Sequence, residues 1–134
     1  MRHVHLIFVG KIKSHFEQLY AEYEKRFAVQ THAFSSWSKL LAWLGTKEFV
    51  LVTEKGTLLS SEELAHKLNH VDANEIIFVV GDDKGFPQEI EESKQKQWAL
   101  SLSPMTFPHD LAKVMLVEQL YRAHTILQGK TYHK

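Results

Sequence analysis

Two features of the 134-residue chain predict an α/β fold, a parallel-rich sheet flanked by helices. Short apolar runs rich in Val, Ile and Phe alternate with segments of helical periodicity from end to end. The runs are apolar almost without interruption, as strands covered on both faces must be. No repeat, low-complexity tract or linker divides them. At 44% hydrophobic residues, the length suits one domain over residues 1–134.

Val4 to Val9 reads as the first strand, closed by Gly10. Ser14 is positioned to cap a helix, with Glu17 completing a capping box. Phe16, Leu19, Tyr20, Tyr23 and Phe27 then recur at helical spacing. Val29 to Phe34 is a weaker strand. Ser36 opens a short helix with Leu40, Leu41 and Leu44 on one side and Gly45 at its end. Phe49 to Thr53 is a strand, expected to stop in the turn Glu54-Lys55-Gly56. Ser60 and Glu63 form a second capping box, with Leu64 and Leu68 facing inward. Glu75 to Val80 is a strand, and Pro87 suits the first turn of the helix that follows. Trp98 to Leu102 is the last strand. Asp110 to Leu127 is the longest helix, and its apolar residues cover more than one face. Such a helix is either central to the core or shared with a second subunit.

Lys plus Arg equals Asp plus Glu at 16 each, so no global charge marks a nucleic-acid or membrane partner, although a local basic patch stays open. The absence of cysteine excludes disulfides and thiolate zinc sites. The stretch MRHVHLIFVGKIK holds too short an apolar run for a signal peptide, and no run is long enough to span a bilayer. A soluble cytoplasmic protein is expected. His66 and His70, four apart on one helix, are too few to predict a metal, and none is expected. His3 and His5 alternate on a strand and read as structural or surface residues. A tail as short as Tyr132-His133-Lys134 is normally frayed unless it folds back.

Ligands of parallel sheets collect at the carboxyl ends of the strands. That rim includes the glycine loop in FVVGDDKGFPQEI, residues 78–90, and the proline-bracketed loop Ser103 to Pro108. A P-loop, a G-x-G-x-x-G after the first strand and a G-x-S-x-G elbow are all missing, which displaces the ligand site toward the C-terminal half.

Several segments resemble the ribosomal RNA large subunit methyltransferase H family of SPOUT-class enzymes. They are Trp98 to Ser103, Met105-Thr106-Phe107-Pro108-His109, Val117-Glu118-Gln119-Leu120-Tyr121-Arg122-Ala123 and Tyr132-His133-Lys134. The family pattern runs roughly S-L-S-x-x-T-L-P-H, E-Q-L-Y-R-A and P-Y-H. The loop after Val80 matches the family's I-G-G-x-x-G, and the resemblance covers nearly the whole chain. It implies a C-terminal trefoil knot, a homodimer, and methyl transfer from S-adenosylmethionine to N3 of a pseudouridine in 23S rRNA of the assembled ribosome. It further implies cofactor contacts from Val52, Thr53, Gly81 and Asp82, and from Ser103, Pro104, Met105, Thr106, Phe107 and Pro108. His109, Arg122, Tyr132 and His133 match positions near the substrate. Arg122 would hold a phosphate or polarise the base. N3 methylation requires loss of a proton, for which His109 and His133 are both candidates.

The chain departs from the pattern in four places. Asp82 replaces the second loop glycine, and His124 replaces a tryptophan. Lys130-Thr131-Tyr132-His133 replaces H-P-Y-H, and the segment between Phe34 and Phe49 is short. Two other readings stay open on these grounds: a cofactor-deficient knotted dimer that only binds RNA or ribosomes, and a SPOUT methyltransferase with a shifted RNA target.

Overall fold

A computed structural model of the chain describes residues 3–71 and 74–133; Lys134, the end of the tail motif, lies outside them. The alternation read from the sequence is realised as β1 His3–Val9, α1 Ser14–Glu24, β2 Val29–Phe34, α2 Trp37–Leu44, β3 Phe49–Leu58, α3 Ser61–Asn69, β4 Glu75–Val80, α4 Gln88–Glu91, β5 Lys96–Ser101 and α5 His109–Leu127. The five strands form one sheet in the order β2-β1-β4-β3-β5, and every pairing is parallel.

The continuous apolar strands cover two layers because successive side chains point to opposite faces. Val4, Leu6, Phe8, Val50, Val52, Ile76, Phe78 and Val80 face one way and meet buried residues of α1, α3 and α5. Ile7, Leu51, Ile77 and Val79 face the other way and meet Leu40 and Leu44 of α2 and Ile90 of α4. The long helix α5 packs against both α1 and α3, which accounts for its several apolar faces within one chain. His5 is buried on β1, with Nε2 2.9 Å from Glu75 Oε2 and Nδ1 3.2 Å from His32 Nε2, so its role is structural.

Three local expectations are corrected. Ser14 does not cap α1: the cap is Lys13, without a side-chain cap bond, and Ser14 is already helical. The Lys13 amide instead donates to Asp110 Oδ2 at 3.0 Å, so a tertiary contact displaces the local box. The turn at Glu54-Lys55-Gly56 is also not a strand end. β3 continues to Leu58 after a register break in which Val52 and Thr57 both face Leu100. Gly56 permits this, because a Cβ there would lie 2.7 Å from the Ala99 backbone. The tail is not frayed but folded back, as described below. The helix start at Ser36 and the box at Ser60 form as read: Ser36 accepts from the Lys39 amide, and Ser60 and Glu63 bond reciprocally.

Candidate active site

The carboxyl ends of β3 and β4 and the loop after β5 meet above α5 in a cleft of about 490 Å³, adjoined by a narrower one of about 80 Å³. Both are lined by Val52, Val80, Thr106, Phe107 and Ala112. Gly81, Asp82, Pro108 and His109 also line the larger cleft, and Thr53, Ser103 and Met105 the narrower one. Nine of the ten residues that the resemblance assigns to the cofactor therefore converge, and Pro104 lies between two of them in sequence. A larger cavity of about 1100 Å³ lies elsewhere, between α3 and the start of β5, and contains none of the ten. Its position away from the strand ends makes it the weaker candidate.

Space is tight at Gly81, where a side chain would require its neighbours to give by a few tenths of an ångström. A Cβ there would stand 3.1 Å from the Gly85 carbonyl oxygen and 3.1 Å from the Phe86 ring. The following residues close a tight turn, with Asp82 and Gly85 exchanging backbone hydrogen bonds of 3.2 and 2.9 Å. Asp82, the departure from the family loop, is held by both oxygens, one within the turn and one to α2. Oδ1 accepts from the Lys84 amide at 2.9 Å and Oδ2 from Trp37 Nε1 at 3.0 Å.

The loop after β5 is braced from within. Ser101 Oγ donates to the Ser103 carbonyl at 2.9 Å, and Ser103 Oγ accepts from the Met105 amide at 3.0 Å. The amides of Thr106 and Phe107 donate no hydrogen bond among the described residues. Two free donors beside apolar walls suit the edge of a flat heterocycle.

Below the cleft lies a buried ion pair that the sequence reading missed. Asp110 is 3% exposed and Lys113 is fully buried, with Nζ 3.3 Å from Asp110 Oδ1 and 4.0 Å from the centre of the Phe8 ring. Burial works to raise the Asp110 pKa, but the Lys13 amide and the Lys113 charge together hold it below the ordinary value. Burial lowers the Lys113 pKa despite the attraction of Asp110. His109 Nε2 is 3.9 Å from Asp110 Oδ1. The i,i+3 spacing of Asp110 and Lys113 was a visible signal, but such a pair is usually a solvated one.

The four expected substrate-facing residues are not together. His109 lines the cleft. Arg122 is thirteen residues further along the same helix, roughly 20 Å away at 1.5 Å per residue. There it forms a cluster with the folded-back tail. Glu118 accepts from Arg122 Nη2 at 2.6 Å and from Tyr132 Oη at 2.9 Å. Arg122 Nη1 is 3.1 Å from His133 Nδ1, and its guanidinium lies 4.9 Å from the Tyr132 ring centre. The bond to Glu118 is the main reason that the Arg122 pKa rises above its ordinary value. Burial, then hydrogen bonds to Tyr23 and Glu118, raise that of Tyr132. Glu118, which joins Arg122 to Tyr132, was not singled out in the sequence, although its i,i+4 spacing to Arg122 was legible. The rings of His66 and His70 lie 4.3 Å apart, tilted by 45°, and His70 Nδ1 donates to the His66 carbonyl at 2.8 Å.

A family model described as "Predicted SPOUT methyltransferase" matches residues 30–133. The Ribosomal RNA large subunit methyltransferase H of Synechococcus sp. (strain CC9902) is 45% identical over 85 residues, which are 63% of this chain and 58% of that protein. The protein of the same name from Prochlorococcus marinus (strain MIT 9303) is 45% identical over 96 residues, 71% of this chain and 63% of that one. The match thus spans less than two thirds of the length of these curated relatives. Among solved structures, a methylase family protein from Haemophilus influenzae Rd KW20 superposes with a TM-score of 0.65 at 13% identity, covering 99% of this chain and 71% of that one. TrmJ from Z. mobilis ZM4 gives 0.55 at 10% identity, covering 93% and 70%. At such identities the likeness is one of fold.

Proposed function

This chain belongs to the SPOUT methyltransferase family, and on that premise we propose that it methylates N3 of a pseudouridine in 23S rRNA of the assembled ribosome, using S-adenosylmethionine. The observation that carries the reading is the convergence of Val52, Gly81 and the Thr106–Pro108 loop in one cleft at the ends of parallel strands. The names of the curated relatives supply the class of RNA.

The residues present fit the cofactor. The free amides of Thr106 and Phe107 offer hydrogen bonds to an adenine edge, and Val52, Val80 and Ala112 offer apolar contact. The bound cofactor supplies an electrophilic methyl group on a sulfonium. The chain has to present N3 to that methyl and remove its proton. His109 is the better placed base because it lines the cleft. In the docked tail, both ring nitrogens of His133 are engaged, by Arg122 and Glu62. Arg122 binds RNA phosphate or the base.

The separation of His109 from Arg122 and the tail favours a homodimer in which two copies complete one site. The exposed Leu58 and Met105, at 58% and 70%, supply apolar surface for such contact. A C-terminal trefoil knot and a cytoplasmic location beside the ribosome complete the proposal. No described helix is long and apolar enough to cross a membrane.

Calorimetric titration with S-adenosylmethionine tests the cofactor. Micromolar binding, about −8 kcal/mol, is expected; no binding at millimolar ligand by an intact dimer would overturn the enzyme reading. Transfer of labelled methyl to ribosomes, free 23S rRNA and other RNA then identifies the target. Arg122→Ala should retain cofactor affinity and lose transfer.

A further inference from the structure

The tail cluster contains a carboxylate that the proposed reaction does not use. Glu62 lies at the start of α3, 71 residues before His133 in sequence, with Oε1 2.5 Å from His133 Nε2. The other ring nitrogen, Nδ1, is 3.1 Å from Arg122 Nη1. We propose that Glu62 is a positioning residue: it sets the tautomer of His133, and His133 in turn holds the Arg122 guanidinium. As a role in catalysis, this rests on the reading in which Arg122 meets the RNA.

The proton positions follow from donor chemistry. A guanidinium only donates, so Nδ1 must present a lone pair to it. An ionised carboxylate only accepts, so Nε2 must carry the hydrogen. Neutral His133 protonated at Nε2 is the single form that satisfies both contacts. The opposite tautomer would set N–H against N–H at Arg122 and lone pair against lone pair at Glu62. The imidazolium would keep Glu62 but lose Arg122. Glu62 thus acts on Arg122 through an intervening ring, as a second carboxylate beside Glu118.

The two carboxylates do different work. Glu118 is on the same helix as Arg122, takes Nη2 and Nε, and also holds Tyr132. It leaves Nη1 to be aimed by His133. Glu62 belongs to α3 and ties the tail to a second helix, so the guanidinium is braced from two elements. Its bond to His133 is the main influence that holds its own carboxyl below the ordinary range. The Glu62 side chain is 65% exposed, so its truncation removes no core packing.

The test compares Glu62→Ala with Glu62→Gln in the full-length protein by NMR, read at the His133 ring and the Arg122 guanidinium. In the unaltered protein, His133 should show a slowly exchanging Nε2–H and an unprotonated Nδ1. Glu62→Ala should abolish the Nε2–H resonance and speed exchange of the Arg122 N–H groups. Glu62→Gln retains an acceptor oxygen and should restore both signals. On ribosomes, Glu62→Ala should raise KM by up to about fivefold, the upper range for an exposed charged contact, with cofactor affinity unchanged. A persistent Nε2–H resonance in Glu62→Ala, or a glutamine variant that behaves like alanine, would overturn the proposal. If the unaltered protein transfers no methyl to any ribosome, the proposed reaction fails. The NMR comparison still decides whether Glu62 positions Arg122.

Discussion

Replacing Asp110 with alanine removes an acceptor from the Lys13 amide at 3.0 Å and, among the described residues, the only carboxylate bonded to Lys113, at 3.3 Å. Lys113 is fully buried, so its ammonium would be left over the Phe8 ring without a bonded anion, with the Asp82 carboxylate still acting on it through space. Coulomb's law at 3.3 Å with an effective dielectric of 20 puts the attraction at about 5 kcal/mol. Single-partner removals from buried pairs cost about 3–5 kcal/mol, which we take as the expected loss. Adding Lys113→Met removes the orphan charge and keeps the apolar stem, so the double variant should recover about 2 kcal/mol or more relative to Asp110→Ala. Urea unfolding followed by circular dichroism, at one fixed protein concentration, measures both. The sign with pH follows from the depressed Asp110 carboxyl. Its contribution is complete above the ordinary carboxylate range and is lost as pH falls through the lowered value. The gap between parent and Asp110→Ala should therefore narrow under acid conditions. A loss below about 1 kcal/mol, or a double variant no more stable than Asp110→Ala, would refute the account of the pair.

Other substitutions probe the frame and the cleft. Gly56→Ala places a Cβ 2.7 Å from the Ala99 backbone and should cost about 1–3 kcal/mol by overpacking β3 against β5, read by thermal unfolding. Asp82→Gly releases Trp37 Nε1, so tryptophan fluorescence should change and stability fall by about 1–2 kcal/mol; Asp82→Asn, which retains an acceptor, should show little of either. His109→Gln should leave cofactor affinity intact and reduce the single-turnover rate of methyl transfer by about a hundredfold or more. Unchanged single-turnover rates would remove His109 from the role of base.

The sheet was legible because its signals are local. Doubly covered strands must be apolar throughout, and Val29–Phe34 and Glu75–Val80 were read to the residue. The candidate cofactor set was placed by the resemblance, and the expectation that strand ends form a ligand rim agrees with it. What failed depended on distant partners. The Ser14 box gave way to a bond from Lys13 to Asp110, 97 residues away. Glu54-Lys55-Gly56 looks like a turn until β5 lies against Gly56. The tail's docking depends on Glu62 and Glu118, and neither is near it in sequence.

The packing of α5 against α1 has a consequence for biosynthesis. The inward face of α1, residues 14–24, waits for a helix that begins at residue 109. At about 5–20 residues per second, synthesis of the intervening chain takes on the order of 10 s. During that interval the first helix lacks its main helical neighbour, and no adjacent strands of this parallel sheet are joined by a hairpin that could form early. Nascent chains stalled before residue 109 should therefore be protease-sensitive and draw holdase chaperones, with protection gained in one step once α5 has emerged.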